Sequence, residues 1–126
     1  MGFLTKYQPQ LLSVLRIVAG LLFLEHGVQK ILGFPAPMTI PPDHAMMIMA
    51  AGWIELVGGA LIVLGLFSRI AAFICSGEMA FAYWMVHFPK GGAFPTLNGG
   101  DAAILFCFIF LYIAAVGPGP LAINQR

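Results

Sequence analysis

Charge is what this sequence has least of: six Lys and Arg and five Asp and Glu among 126 residues, 9% of the chain. A soluble domain gives about a quarter of its residues to those types. Here 60% of residues are hydrophobic and mean hydropathy is +0.94. A water-soluble fold of this length leaves roughly a third of its chain surface exposed and has no means of hiding so much apolar area. The few Lys and Arg form no basic run, which excludes nucleic acid as an expected partner. Two cysteines, Cys75 and Cys107, sit inside apolar segments and make no CxxC pair, so neither a redox dithiol nor a metal site is expected. Alternating strand patterns are absent too, which leaves helices as the means of satisfying the backbone in lipid.

What is present is a set of apolar runs separated by turn chemistry. A membrane-spanning helix needs about 20 mostly apolar residues. Four segments qualify, at about 11–32, 45–67, 69–88 and 101–116, the last being short. Between them lie Gly33-Phe34-Pro35-Ala36-Pro37 with Pro41-Pro42-Asp43, then Ser68, then Pro89-Lys90-Gly91-Gly92 with Asn98-Gly99-Gly100. Gly117-Pro118-Gly119-Pro120 follows the last run. Proline and glycine are the punctuation expected where helices stop. The predicted fold is all-α: a single integral membrane domain over residues 1–126, a four-helix bundle made of two helical hairpins. The first run is longer than the apolar part of a signal peptide and carries Arg16, Glu25, His26 and Lys30, so it is expected to be retained. Lys6, Arg69 and Arg126, with Arg16 close by, fall on one side of the membrane, against Lys90 and Lys30 on the other. This bias predicts both termini in the cytoplasm.

A charge at the centre of a bilayer costs at least about 2.5–3.5 kcal/mol, so each one needs a reason. Counting about 1.5 Å per residue puts Glu55 and Glu78 near the middle of their spans. His26, Lys30, His87 and Asp101 fall in the outer third, and Arg16 near the inner face, from which it is expected to snorkel. Arg16, Gly20, Phe23, Gly27 and Lys30 share one side of the first helix, within roughly 80° at 100° per residue. Small residues let membrane helices approach closely, so this stripe should face its neighbours. Glu55 is followed by Gly58 and Gly59, Glu78 shares a face with Ala71, Cys75, Ala82 and Met85, and Asp101 aligns with Leu105, Phe108 and Tyr112. The pattern predicts a pocket in the outer half with His26, Lys30 and Glu55 as catalytic candidates. Arg16, Glu78, His87 and Asp101 are the candidates for holding a cofactor. Each also has a plain structural reading: Lys30 and Asp101 as interfacial anchors, His87 as part of an aromatic belt with Trp84, and the whole network as a register device.

The run Leu15-Arg16-Ile17-Val18-Ala19-Gly20-Leu21-Leu22-Phe23-Leu24-Glu25-His26-Gly27-Val28-Gln29-Lys30 resembles the opening signature of the DoxX family, an Arg, an apolar Gly-containing stretch, then His-Gly-x-x-Lys. Glu55-Leu56-Val57-Gly58-Gly59, Gly65-Leu66-Phe67-Ser68-Arg69, His87 and Asn98-Gly99-Gly100-Asp101 resemble its later elements, where the last position is often Glu. Glu25 and Glu78 are less typical of the pattern, and no family role is carried onto them. The resemblance implies four helices in a bacterial cytoplasmic (inner) membrane and an association with membrane redox chemistry. Relatives are described as subunits of a thiosulfate:quinone oxidoreductase or as partners of thiol and oxidative-stress enzymes. The expectation is a quinone-linked oxidoreductase or its membrane subunit, with quinone as the candidate cofactor. His26 and Lys30 would donate to the quinone carbonyls, Glu55 would relay protons, and Trp53, Tyr83 and Trp84 would border the ring. The chain carries no GxGxxG and too few cysteines for an iron–sulfur cluster, so electrons would come from a protein partner or a substrate thiol. Two other readings remain open at this level. One is an accessory subunit of a larger membrane complex. The other is a small-solute or proton transporter, which needs a homo-oligomer because four helices make a thin wall.

Overall fold

A computed structural model describes residues 1–126 and is entirely helical apart from its turns. Helix α1 runs over Gln8–Leu32, with Pro9 in its first turn, where a missing N–H costs nothing, and with Gly33 closing it at φ 68°. A short turn over Pro42–His44 leads into α2, Ala45–Leu64, which Gly65 ends in the left-handed conformation. Helix α3 starts at Ser68 and runs to Ala82, then widens over Tyr83–His87 before a last turn at Phe88–Gly91. The wide turn has a local cause: Pro89 has no N–H for the Met85 carbonyl and its ring crowds that oxygen, so the Phe88 N–H pairs one residue further back, with Tyr83. Helix α4 is Asp101–Val116.

The spans Gln8–Leu32, Pro42–Leu64 and Ser68–Gly91 are each long and apolar enough to cross a membrane, and α4 is a shorter apolar helix. The side chains are arranged for lipid. Ile70, Phe73, Trp84, Leu105, Phe108 and Tyr112 point outward. The interior is lined mostly by small residues, among them Ala19, Gly20, Gly27, Gly58, Gly59, Ala71, Ala72 and Ala103, around a few large ones such as Phe23, Phe110 and Ile62. That distribution suits helices associating by close packing in a solvent as apolar as their own side chains. The all-α membrane bundle expected from the sequence is the architecture found, and its environment is the lipid bilayer.

Helices α1 and α2 pack as one hairpin and α3 and α4 as the other. Two glycines set the first contact. A Cβ at Gly27 would run into the backbone of Leu56, and one at Gly59 would lie 2.9 Å from the Leu24 Cα. In the second hairpin the Ser76 hydroxyl donates to the Cys107 carbonyl at 2.7 Å. The hairpins join through α2 against α3, and on the other side through Phe23, whose ring meets Phe106 at 5.4 Å and Phe110 at 4.9 Å.

Residues 117–126 fold back under the end of the bundle that holds the termini. Arg16 does not snorkel: it is 1% exposed, and its guanidinium donates to the carbonyls of Pro118 and Leu121 and, at 3.4 Å, to that of Val63. Ser13 accepts the Leu121 N–H at 3.0 Å. Ile123 and Asn124 donate to the carbonyls of Leu64 and Gly65, and the Asn124 side chain accepts the Phe67 N–H. Arg69 donates to the carbonyls of Ala114, Ala115 and Val116, a cation placed at the negative end of α4. Replacing Arg16 with Lys leaves one donor group for three acceptors. Hydrogen exchange at Leu121 and Ile123 is expected to quicken at least tenfold relative to the unchanged chain, while exchange within α3 stays slow.

Candidate functional site

The half of the bundle distal to the termini contains an ion pair between two helices. Lys30, near the end of α1, places Nζ 2.6 Å from Glu55 Oε1 on α2. Glu55 is 2% exposed and Lys30 18%, so the acid lies inside and the base reaches it from the rim. The Gly27 contact fixes this geometry, because it holds the α2 backbone at Glu55 and Leu56 against α1 one turn below Lys30. On α3, Glu78 lies close enough to interact with both Glu55 and Lys30, and Cys75 lies one turn earlier, its Sγ filling the space over Gly58. Both carboxyl oxygens of Glu78 are buried, and no N–H or hydroxyl donor of the protein reaches them. One ammonium thus stands against two carboxyl groups, and the polar neighbour of the Glu78 carboxyl is the Glu55 carboxyl, within reach of a hydrogen bond if one of the two carries a proton.

His26 lies on the open side between α1 and α4. It is exposed, its ring sits edge-on to Phe106 at 5.9 Å, and its Nδ1–H donates to the Leu22 carbonyl at 2.7 Å. That bond leaves Nε2 without a protein partner, and in a neutral ring it is an acceptor. Lys30, one turn further along the same side of α1, keeps two N–H groups beyond the one on Glu55.

The other candidates fall elsewhere. Arg16 belongs to the opposite end, tied to residues 118–121. His87 serves the α3–α4 connection: its Nδ1 donates to the Asn98 carbonyl at 3.2 Å, and its ring stacks on Tyr83 at 6.5 Å. Asn98 holds that connection together, donating to the Gly92 carbonyl and the Tyr83 hydroxyl and accepting the Gly100 N–H. Its place before Gly99-Gly100 was the available signal, because Asn beside glycines is turn chemistry. Asp101 is exposed in the first turn of α4, where a carboxylate suits the positive end of the helix. The face it shares with Leu105, Phe108 and Tyr112 is turned to lipid rather than to the pocket, and Ala103, Phe106, Phe110 and Ile113 form the inner face instead. The third-helix face is right up to Ala82 but not beyond: the wide turn at Tyr83–His87 adds a residue, shifts the phase, and leaves Met85 outside.

Fold and site together define a small polytopic membrane protein with an ion pair and an unmatched carboxyl group buried in one half of its bundle. Residues 11–88 match the family model described as DoxX, and the chain belongs to the DoxX family. The match covers all of α2 and nearly all of α1 and α3, and so contains Arg16, His26, Lys30, Glu55, Glu78 and His87; Asp101 lies beyond it. A protein of Haemophilus influenzae, described only as an uncharacterized protein, is 44% identical over 131 residues, an alignment that covers 100% of this chain and 97% of that one. No solved structure matches the chain.

Proposed function

We propose that the distal polar cluster of this single four-helix unit binds the headgroup of a membrane quinone, and that the chain acts as a quinone-linked oxidoreductase or, more specifically, as its membrane subunit. The observation that carries this reading is the cluster itself, Lys30 paired to Glu55 with the Glu78 carboxyl behind them, one turn from the exposed imidazole of His26. A headgroup with two oxygens and a lipid tail suits such a cluster, with its acids inside and the Lys30 and His26 side chains toward the lipid-exposed rim. Lys30 would hold a quinone carbonyl with its spare N–H groups. His26 would supply the second contact. With Nδ1 committed to Leu22, its Nε2 accepts, so it suits a quinol hydroxyl rather than a quinone carbonyl. Glu55 and Glu78 would hold or pass protons, the usual work of carboxyl groups within a membrane. A bound quinone supplies the two-electron chemistry; the electrons would come from a protein partner or a thiol, because the chain has the motifs of no electron carrier. Arg16, Arg69, Lys6 and Arg126 at the terminal end, against Lys30 and Lys90 at the other, support cytoplasmic termini in a bacterial inner membrane.

The test is native mass spectrometry of gently released protein, with extraction of retained small molecules. A quinone is expected. His26→Phe is expected to weaken binding of a short-chain quinol about tenfold, the scale of one lost hydrogen bond. It should leave folding intact, because His26 bonds only to its own helix. Unchanged quinol affinity in His26→Phe and in Glu55→Gln would overturn the proposal.

A further inference from the structure

One charged group in the membrane-spanning part is explained neither by the bundle nor by the proposed site. Glu25 is exposed on the outer side of α1, away from Arg16 and Gly27, and neither of the chain's two ion pairs involves it. It lies seven residues before Leu32, about 10 Å from the end of the helix at 1.5 Å per residue, within the apolar part of the span. A carboxyl group there is costly unless it meets a polar partner. One turn further on, Gln29 uses an amide N–H on the Ala36 carbonyl at 3.3 Å, which leaves its second amide N–H without a partner.

The residues around them form a regular seam. Leu11, Leu15, Val18, Leu22, Glu25, Gln29 and Leu32 follow one another at alternating steps of four and three, the spacing of a heptad contact line. Leu11, Leu15, Val18, Leu22 and Leu32 are all exposed. No other helix of the chain covers this side of α1, and a groove lined by Leu21, Leu24, Val28 and Phe34 opens beside Glu25.

We propose that two copies of this chain associate in parallel through this face of α1, with Glu25 and Gln29 as the polar contacts that set the register. Copies inserted the same way in a membrane are related by a two-fold axis along its normal, so α1 meets α1 in parallel and each seam residue packs among partner residues at its own depth and one turn away. Gln29 of each copy then lies one turn from the partner's Glu25 and donates its spare amide N–H to that carboxyl group. The contact is made twice by symmetry. A lipid-facing heptad seam whose two polar members are a donor and an acceptor is self-complementary, and this is the argument for a second copy over an unrelated partner. The interface is argued from the seam and not from the quinone reading, although His26 follows Leu22 by one turn and the second copy would border the lipid side of that site.

Disulfide trapping in native membranes tests it. Leu22→Cys on the seam is expected to form a covalent dimer on mild oxidation. Leu105→Cys, on the lipid-facing side of α4, and the unchanged chain are expected to form little. Adding Glu25→Leu to Leu22→Cys should reduce the dimer about three- to twentyfold, the range of interhelical hydrogen bonds in membranes, whereas Glu25→Gln should keep most of it. A Leu22→Cys yield no greater than that of Leu105→Cys, or a linked product containing a different protein, overturns the interface. An unchanged yield with Glu25→Leu overturns the role of the polar pair. Because Leu22 and Glu25 both lie outside the packed interior, these variants are expected to insert and fold.

Discussion

Lys30→Met is expected to lower the stability of the bundle by about 3–5 kcal/mol, the cost of removing one partner from a buried ion pair. The loss comes from what remains. Glu55 is almost completely enclosed, no N–H or hydroxyl donor reaches Glu78, and without the ammonium two carboxyl groups face each other in an apolar interior. The opposite deletion is cheaper. Glu55→Gln keeps a polar acceptor for Lys30, which sits at the rim and can turn toward the interface. Combining Lys30→Met with Glu55→Gln is therefore expected to recover most of the loss. Reversible unfolding in detergent or bilayers measures all three. A Lys30→Met variant as stable as the parent would mean that the pair carries little of the fold.

Gly27→Ala is the second large effect expected, and its mechanism differs. The added methyl meets the α2 backbone, with the Glu55 carbonyl carbon and the Leu56 Cα both at 2.8 Å, so no side-chain rotation relieves it. The helices must move apart, at about 1–3 kcal/mol for overpacking of this kind. Because the contact sits one turn below Lys30, the movement also lengthens the Lys30–Glu55 pair. Stability and ligand retention should fall together. Gly77→Ala is the matched control: nothing lies within 4 Å of its new Cβ, and a glycine inside a helix costs about 0.5–1 kcal/mol relative to alanine. That variant is expected to be neutral or slightly more stable. Equal behaviour of the two alanine variants would contradict the close-packed contact.

Much of α1 was legible because its helix is regular over 25 residues. Phase alone placed Arg16, Gly20, Phe23 and Gly27 on one side, and they are the residues inside. At the same 100° per residue Glu25 falls about 180° from Arg16, and it lies outside. Glu55 and Glu78 were readable as midspan acids, but nothing local says that Lys30 rather than His26 takes the inner position. That choice depends on which way α2 leans, and so on Gly27 and Gly59 meeting backbone on another helix. Phase failed on α4, where both faces are apolar and one acid at the first position was too little to say which turns inward. It failed again beyond Ala82, where Pro89 changes the helical period and every later face with it. The role of residues 117–126 was not legible at all. Gly117-Pro118-Gly119-Pro120 reads as a stop, whereas the carbonyls it frees are what Arg16 binds.

That last arrangement bears on how the chain is made. The carbonyls of Pro118 and Leu121 lie 102 and 105 positions after Arg16. When α1 emerges from the ribosome, two of the three backbone oxygens that will hold its arginine have not yet been synthesised. The guanidinium must stay hydrated at the membrane edge while three further helices are inserted, and it is drawn inside only when residues 118–121 swing beneath them. Closure of this end of the bundle is thereby a late event in biogenesis, and one that reports that α4 has arrived.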